Sequence, residues 1–265
     1  MYSTLQLTIK YFKYYFAASN SKGHGMHSPF IFEFITKVLN DKTNYPAYQH
    51  VEELRKQLSK DQAIIMVEDF GAGSAIDKTN RRTIASIVKN AAKPAKYGKL
   101  LHRMVKYYQP HNVLELGTSL GITTCYLAMG QPGANLITME GATAIAAAAR
   151  QNFKNLELNN IEVVTGNFDQ TLSSVVSKLS SIDFVFIDGN HRREPTEKYF
   201  GQLLKSTHND SILVFDDIHW SRDMEQAWET IKKHPAVRCT VDLFFIGIVL
   251  FRQEFKEKQH FLIRF

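Results

Sequence analysis

The chain has 265 residues, 44% of them hydrophobic and 22% charged, and only two cysteines, Cys125 and Cys239, which excludes a disulfide-built secreted scaffold and a disordered chain. Its longest apolar stretch, Leu243 to Phe251, is about half of what a membrane-spanning helix requires, and Lys10 and Lys13 interrupt the one segment that could pass for a signal core, so the expected location is the cytoplasm. The net charge of +6 is uneven: residues 1–100 carry fifteen Lys/Arg against eight Asp/Glu, and residues 101–265 carry seventeen against eighteen.

These basic residues are scattered, with no run longer than a pair such as Arg81-Arg82, which favours a solvated surface over a nucleic-acid groove. The first 32 residues contain no acid, three lysines and eight aromatics. Leu5, Ile9, Phe12 and Phe16 recur at helical spacing, predicting a helix with one apolar stripe. Packing on the rest of the chain or in a homodimer fits this stripe better than a membrane surface, because lysines on the polar face are few. After the segment Gly23-His24-Gly25-Met26-His27, Ser28 and Pro29 are suited to cap and start a helix over 30–39. A short strand near 63–67 runs into Glu68-Asp69-Phe70-Gly71-Ala72-Gly73-Ser74, which looks like a glycine loop. No apolar strand follows it by residue 95, so it reads as a turn or part of a lid.

From residue 97 the pattern changes. A helix over 97–108 ends before Pro110, and the apolar run 112–116 leads into glycines and a helix over 121–129. Strands follow at 135–140, 161–165, 182–188 and 211–216, with helices between them, including an alanine-rich one over 142–153. Near-continuous apolar strands alternating with helices predict a parallel sheet covered on both faces. The runs 237–243 and 246–252 are too close for a helical crossover and predict an antiparallel hairpin. The expected fold is therefore α/β and Rossmann-like: a mostly parallel seven-stranded sheet with a terminal hairpin (97–265), behind a mainly helical cap (1–96).

In open parallel sheets, ligands bind beyond the carboxyl ends of the strands. The first such end reads Glu115-Leu116-Gly117-Thr118-Ser119-Leu120-Gly121. Its G-x-x-x-G spacing departs from the dinucleotide fingerprint G-x-G-x-x-G. It also matches the G-x-S-x-G nucleophile elbow, but here the loop opens the sheet and no oxyanion segment precedes it. Glu140 ends the second strand, where a carboxylate can accept both hydroxyls of a ribose.

This combination, with the terminal hairpin, resembles class I S-adenosylmethionine-dependent methyltransferases over roughly residues 97–252. The resemblance implies that Glu115 orients the amino-acid end of the cofactor and that Gly117, Thr118, Ser119, Gly121, Glu140, Gly141 and Asp188 line its site. It also implies that the loop carrying Asn167 and Phe168 contacts adenine.

Strand four ends in Ile187-Asp188-Gly189-Asn190-His191 and strand five in Asp216-Asp217-Ile218-His219-Trp220, without the Asn/Asp-Pro-Pro-Tyr/Phe of many nitrogen methyltransferases. Asp188, Asp216 and Asp217 are thereby expected to converge, and crowded carboxylates call for a cation such as Mg²⁺. The pattern is similar to metal-dependent small-molecule O-methyltransferases. The catechol type carries Asp-Asn where this chain has Asp216-Asp217, which looks more like the sugar-modifying members. That resemblance implies in-line methyl transfer to an acceptor oxygen, with His191 as the first candidate base and His219 the second. It further implies that residues 1–96 close over the site and select a small-molecule acceptor. A metal-free methyltransferase and a non-catalytic S-adenosylmethionine-binding module are the alternatives.

Overall fold

The apolar runs at 112–116, 135–140 and 182–187 become strands that are mostly buried, whereas the run at 161–165 becomes a strand that is only half-buried. The structure, a computed structural model, describes residues 1–19, 28–67 and 81–265. The segment 23–27 and the glycine-containing stretch 68–74 lie outside the described residues. In chain order the elements are α1 (Thr4–Ala17), α2 (Pro29–Glu33) continued by a π-helical turn (Phe34–Leu39), α3 (Pro46–Leu58), β1 (Ile64–Met66), β2 (Arg81–Thr83), α4 (Ile84–Ala91), α5 (Ala95–Tyr108), β3 (Asn112–Leu116), α6 (Ile122–Gly130), β4 (Asn135–Glu140), α7 (Thr143–Asn155), β5 (Ile161–Thr165), α8 (Phe168–Lys178), β6 (Ile182–Ile187), α9 (Arg193–Leu203), β7 (Thr207–Asp216), α10 (Arg222–Lys233), β8 (Cys239–Asp242), β9 (Ile246–Leu250) and β10 (Gln259–Leu262). The fold is α/β with a mostly parallel sheet of eight strands, β3 to β10.

The chain divides into two compact units, residues 41–171 and residues 1–40 with 172–265, so the stretch 1–96 contributes to both. In the first unit, β3, β4 and β5 lie side by side and parallel, with Glu115 opposite Thr138 and Glu140 opposite Thr165. Val113, Leu114 and Leu116 of β3 are almost wholly buried. Each contributes roughly 1.5–3 kcal/mol of transfer free energy. Tyr48, Val51 and Leu54 of α3, Tyr126 of α6 and Phe153 of α7 belong to one core cluster.

In the second unit, β6 pairs in parallel with β7, and β9 runs antiparallel to both β7 and β8. The strand β10, parallel to β8, is the one the sequence reading lacks. Only Phe261 and Leu262 of its four residues are apolar, so nothing local announces a strand, and pairing with β8 makes it one. Helix α1 begins with a capping box between Ser3 and Gln6. Its Tyr11 and Tyr14 pack against Phe244, while Leu5, Phe12 and Phe16 stay exposed. Ser28 caps α2 through the Ile31 N–H, with Pro29 in the first turn.

Candidate functional site

The first group of candidate residues lies in the 41–171 unit, at the carboxyl ends of β3 and β4. The chain leaves β3 through Gly117 at φ 105°, Ser119 at φ 49° and Gly121 at φ 80°. A Cβ on Gly121 would sit 2.3 Å from the Phe153 ring, so both the left-handed backbone and the packing require glycine there. The N–H groups of Gly117 and Thr118 both donate to the Met139 carbonyl, and the Asn152 amide holds the Leu120 carbonyl at 2.9 Å. The loop is thus held by the protein's own groups.

Glu140 completes it. One carboxylate oxygen accepts the Ser119 N–H at 2.8 Å and the other the Ala142 N–H at 3.0 Å. A carboxylate offers about four acceptor sites, and each of these two amides takes one. Gly141 follows directly, half-buried like Glu140. The Gly166 N–H donates to the Glu140 carbonyl, tying in the next strand end, and Asn167 Oδ1 accepts the Asp169 N–H to cap α8, which Phe168 opens.

Glu115 is 0% exposed. Its Oε2 accepts hydrogen bonds from Thr124, and from Thr138 at 2.6 Å. Because Thr138 spends its proton on Glu115, the 2.6 Å contact between Thr118 and Thr138 must be donated by Thr118. This chain anchors the loop from below. Thr138 and Asn152 were missed by the sequence reading, although a threonine inside an apolar strand is a usable signal.

The second group lies in the other unit, where β6 and β7 end. Asp188, His191 and Asp216 each bring one ligand-type atom to within 4.8 Å of the other two. His191 Nε2 stands 3.2 Å from Asp188 Oδ1, and its ring packs against Trp220 at 5.7 Å between centroids. Burial alone would depress the His191 pKa, but the Asp188 contact and the charges of Asp188, Asp217 and Asp216 outweigh it and hold it above the usual value. Asp217 takes φ 54° and accepts the Trp220 N–H on its carbonyl, closing a tight turn.

His219 is brought to different partners. Its Nδ1 meets Glu225 at 3.1 Å and its Nε2 meets Asp242 at 2.7 Å. Burial lowers its pKa, but the two carboxylates overcompensate and raise it. Glu225 also accepts from Lys10 and Tyr2 of the N-terminal segment. Flanked by the two carboxylates, His219 links α10 and β8 and, through Glu225 and Lys10, α1. Asp242 and Glu225 carried no signal in the sequence that paired them with it.

The family model described as a methyltransferase domain matches residues 114–218. A catechol O-methyltransferase of Niastella koreensis is 30% identical over 124 residues, 46% of this chain and 55% of that protein. A catechol O-methyltransferase of Mycobacterium tuberculosis is 29% identical over 136 residues, 51% of this chain and 60% of that one. The matches thus span little more than half the length of these curated relatives. The solved O-methyltransferase of Streptomyces achromogenes involved in tomaymycin synthesis, in complex with S-adenosylmethionine, shares the fold. Its TM-score is 0.56 at 17% identity, over 79% of this chain and 91% of that one. The domain match makes residues 114–218 similar to methyltransferase domains, and the solved structure bears on the fold. No helix among the described residues is long and apolar enough to cross a membrane.

Proposed function

We propose that the chain is an S-adenosylmethionine-dependent methyltransferase that acts on an oxygen of a small molecule with the help of a divalent metal. One observation carries the reading: the methyltransferase-domain match, 114–218, coincides with the stretch that supplies Glu115, Glu140, Asn167, Asp188, His191, Asp216 and Asp217. Bound S-adenosylmethionine would supply an electrophilic methyl carbon, and a bound divalent ion would acidify the acceptor hydroxyl.

The residues present fit both groups. Gly117 and Gly121 give the loop its left-handed turns, and Glu140, fixed by two backbone amides, stands at the β4 end, where a carboxylate can accept the two hydroxyls of a ribose. Gly141, Thr118 and Ser119 border that carboxylate, while Asn167 and Phe168 at the β5 end are the adenine-side candidates. Glu115, buried on its two threonines, acts by holding the loop that orients the amino-acid end of the cofactor. Asp188 and Asp216 have the donor chemistry of a divalent cation site, with Asp217 adjacent. Asp216 is 1% exposed, which places its carboxylate in the buried part of this grouping. His191 shares that cluster and can hold a proton or enter the ligand set. The exposed face of α1 suits a second copy of the chain better than a lipid surface, since Lys10 is already paired with Glu225. The compartment proposed is the cytoplasm.

The test is transfer of labelled methyl from S-adenosylmethionine to a panel of small hydroxyl compounds, catechols and sugars included, alongside calorimetric titration of the cofactor. Methyl transfer to an oxygen supports the reading. Cofactor binding without transfer to any acceptor would favour a binding module, and no cofactor binding would overturn the proposal.

A further inference from the structure

Helix α1 is anchored at both ends, and the two ends have different partners. Towards its C-terminus, Tyr11 and Tyr14 pack on Phe244, the Tyr14 hydroxyl donates to the Ile263 carbonyl, and Arg264 Nε donates to the Tyr15 carbonyl at 2.6 Å. The other end is spent on the loop that leaves β7. The Tyr2 N–H donates to the Trp220 carbonyl at 3.1 Å, and the Tyr2 hydroxyl donates to Glu225 Oε2 at 2.7 Å. Lys10 Nζ reaches both oxygens of the same carboxylate, at 2.9 and 3.0 Å, and stands 4.4 Å from the centre of the Tyr2 ring. From α10, Glu225 thus grips residues 2–10, and through its 3.1 Å contact with His219 Nδ1 it also grips the residue next to Trp220.

The loop is held from its other side as well. His219 Nε2 meets Asp242 at 2.7 Å, its ring stacks on Phe244 at 5.2 Å, and the Trp220 N–H turns back to the Asp217 carbonyl at 2.9 Å. The half-buried Trp220 side chain carries this hold to the site. Its ring centre lies 5.7 Å from that of His191, which groups with Asp188 and Asp216.

We infer that Glu225 is a positioning residue for the acceptor side of the site: it clips residues 2–10 to the 217–221 loop and so holds the Trp220 indole as a wall against His191. This rests on the function proposed above. The indole offers a flat apolar face beside the imidazole, against which an acceptor can be laid. Glu225 acts through Trp220 and not on the reacting atoms. Loosening the clip lets the wall drift, and a misplacement of about 1 Å can cost about 100-fold in rate.

The experiment reads the wall directly. The chain has two tryptophans and Trp228 is 1% exposed, so quenching by acrylamide, a neutral molecule, reports on Trp220. Nuclear Overhauser contacts between the His191 and Trp220 rings report their packing. Full-length wild type, Tyr2→Phe, Glu225→Gln and Arg264→Ala are compared, with Trp220→Phe to assign the signals and circular dichroism to check folding. Methyl transfer to the panel of hydroxyl compounds and calorimetric titration of S-adenosylmethionine are run on the same samples.

Quenching should rise and the ring contact weaken in Tyr2→Phe, and more so in Glu225→Gln. Both should stay unchanged in Arg264→Ala, which loosens only the other end of α1. In Glu225→Gln, kcat/KM for the acceptor should fall about 10-fold or more, with less than about 3-fold change in cofactor affinity. Tyr2→Phe deletes one half-buried hydroxyl, so it tests the clip even if Glu225→Gln fails to fold. Unchanged quenching and ring contact in the clip variants would overturn the inference. Equal loosening in Arg264→Ala would overturn it too, because the contacts would then serve only to dock α1. No methyl transfer by wild type to any acceptor, with the ring contact present, would instead overturn the proposed function and leave the clip on Trp220 standing.

Discussion

Replacing Glu140 with alanine removes the acceptor of two loop amides at once. The Ser119 N–H at 2.8 Å and the Ala142 N–H at 3.0 Å both lose a charged partner. Hydrogen bonds to charged groups contribute about 1.5–3 kcal/mol each, and Glu140 is half-buried, so water can reach the freed amides and the lower end applies. The loss should therefore be about 2–4 kcal/mol in stability, or roughly 4–10 °C in Tm for a chain of this size. Glutamine keeps one carbonyl acceptor but turns an NH₂ towards the second amide, so it should lose about half of that. If the same carboxylate also holds the ribose, cofactor affinity falls further, by about 100-fold in Glu140→Ala. Thermal unfolding without ligand isolates the loop effect, and calorimetric titration of S-adenosylmethionine reads the second. Unchanged Tm and unchanged affinity in Glu140→Ala would refute the assignment of this carboxylate as the organiser of the loop.

Three other outcomes follow from named contacts. Gly121→Ala combines a left-handed backbone cost of about 1–2 kcal/mol with a clash against Phe153, so urea unfolding should show a loss of about 2–5 kcal/mol. A loss below about 1 kcal/mol would mean that the loop relaxes freely. His102 is buried beside Tyr45 and Tyr48, and burial pushes its pKa down to about 4. The folded chain then holds it neutral while the unfolded chain takes up a proton below about pH 6.5, so its contribution is complete above that value and is lost as pH falls towards 4. Between pH 7 and pH 5 this amounts to about 2 kcal/mol. His102→Gln should remove that part of the pH dependence, and a variant as acid-sensitive as wild type would contradict it. Finally, Phe12→Ser with Phe16→Ser should convert a dimer to a monomer in light scattering without altering binding to anionic vesicles; vesicle binding lost with the two rings would instead assign that face to lipid.

Asp188 and His191 lie three residues apart at one strand end, and their adjacency could be anticipated from the sequence alone. Their third partner, Asp216, arrives on a neighbouring strand only once β6 and β7 pair. The same division runs through the chain. Apolar runs of β-branched and aromatic residues announce β3 to β7, and the glycines of 117–121 announce a loop, because both signals are local properties of the backbone and its hydration. Nothing local separates His219 from His191, each a histidine just beyond a strand-end aspartate. Tertiary packing sets one between Glu225 and Asp242 and the other beside Asp188, a difference no local pattern announces. The strand β10 and the bond from Ser119 to Glu140 belong to the same category. The strand and the Ser119 bond depend on partners distant in the chain, whereas the Ala142 bond is local, and a long-range hydrogen bond forms only where folding brings its partners together.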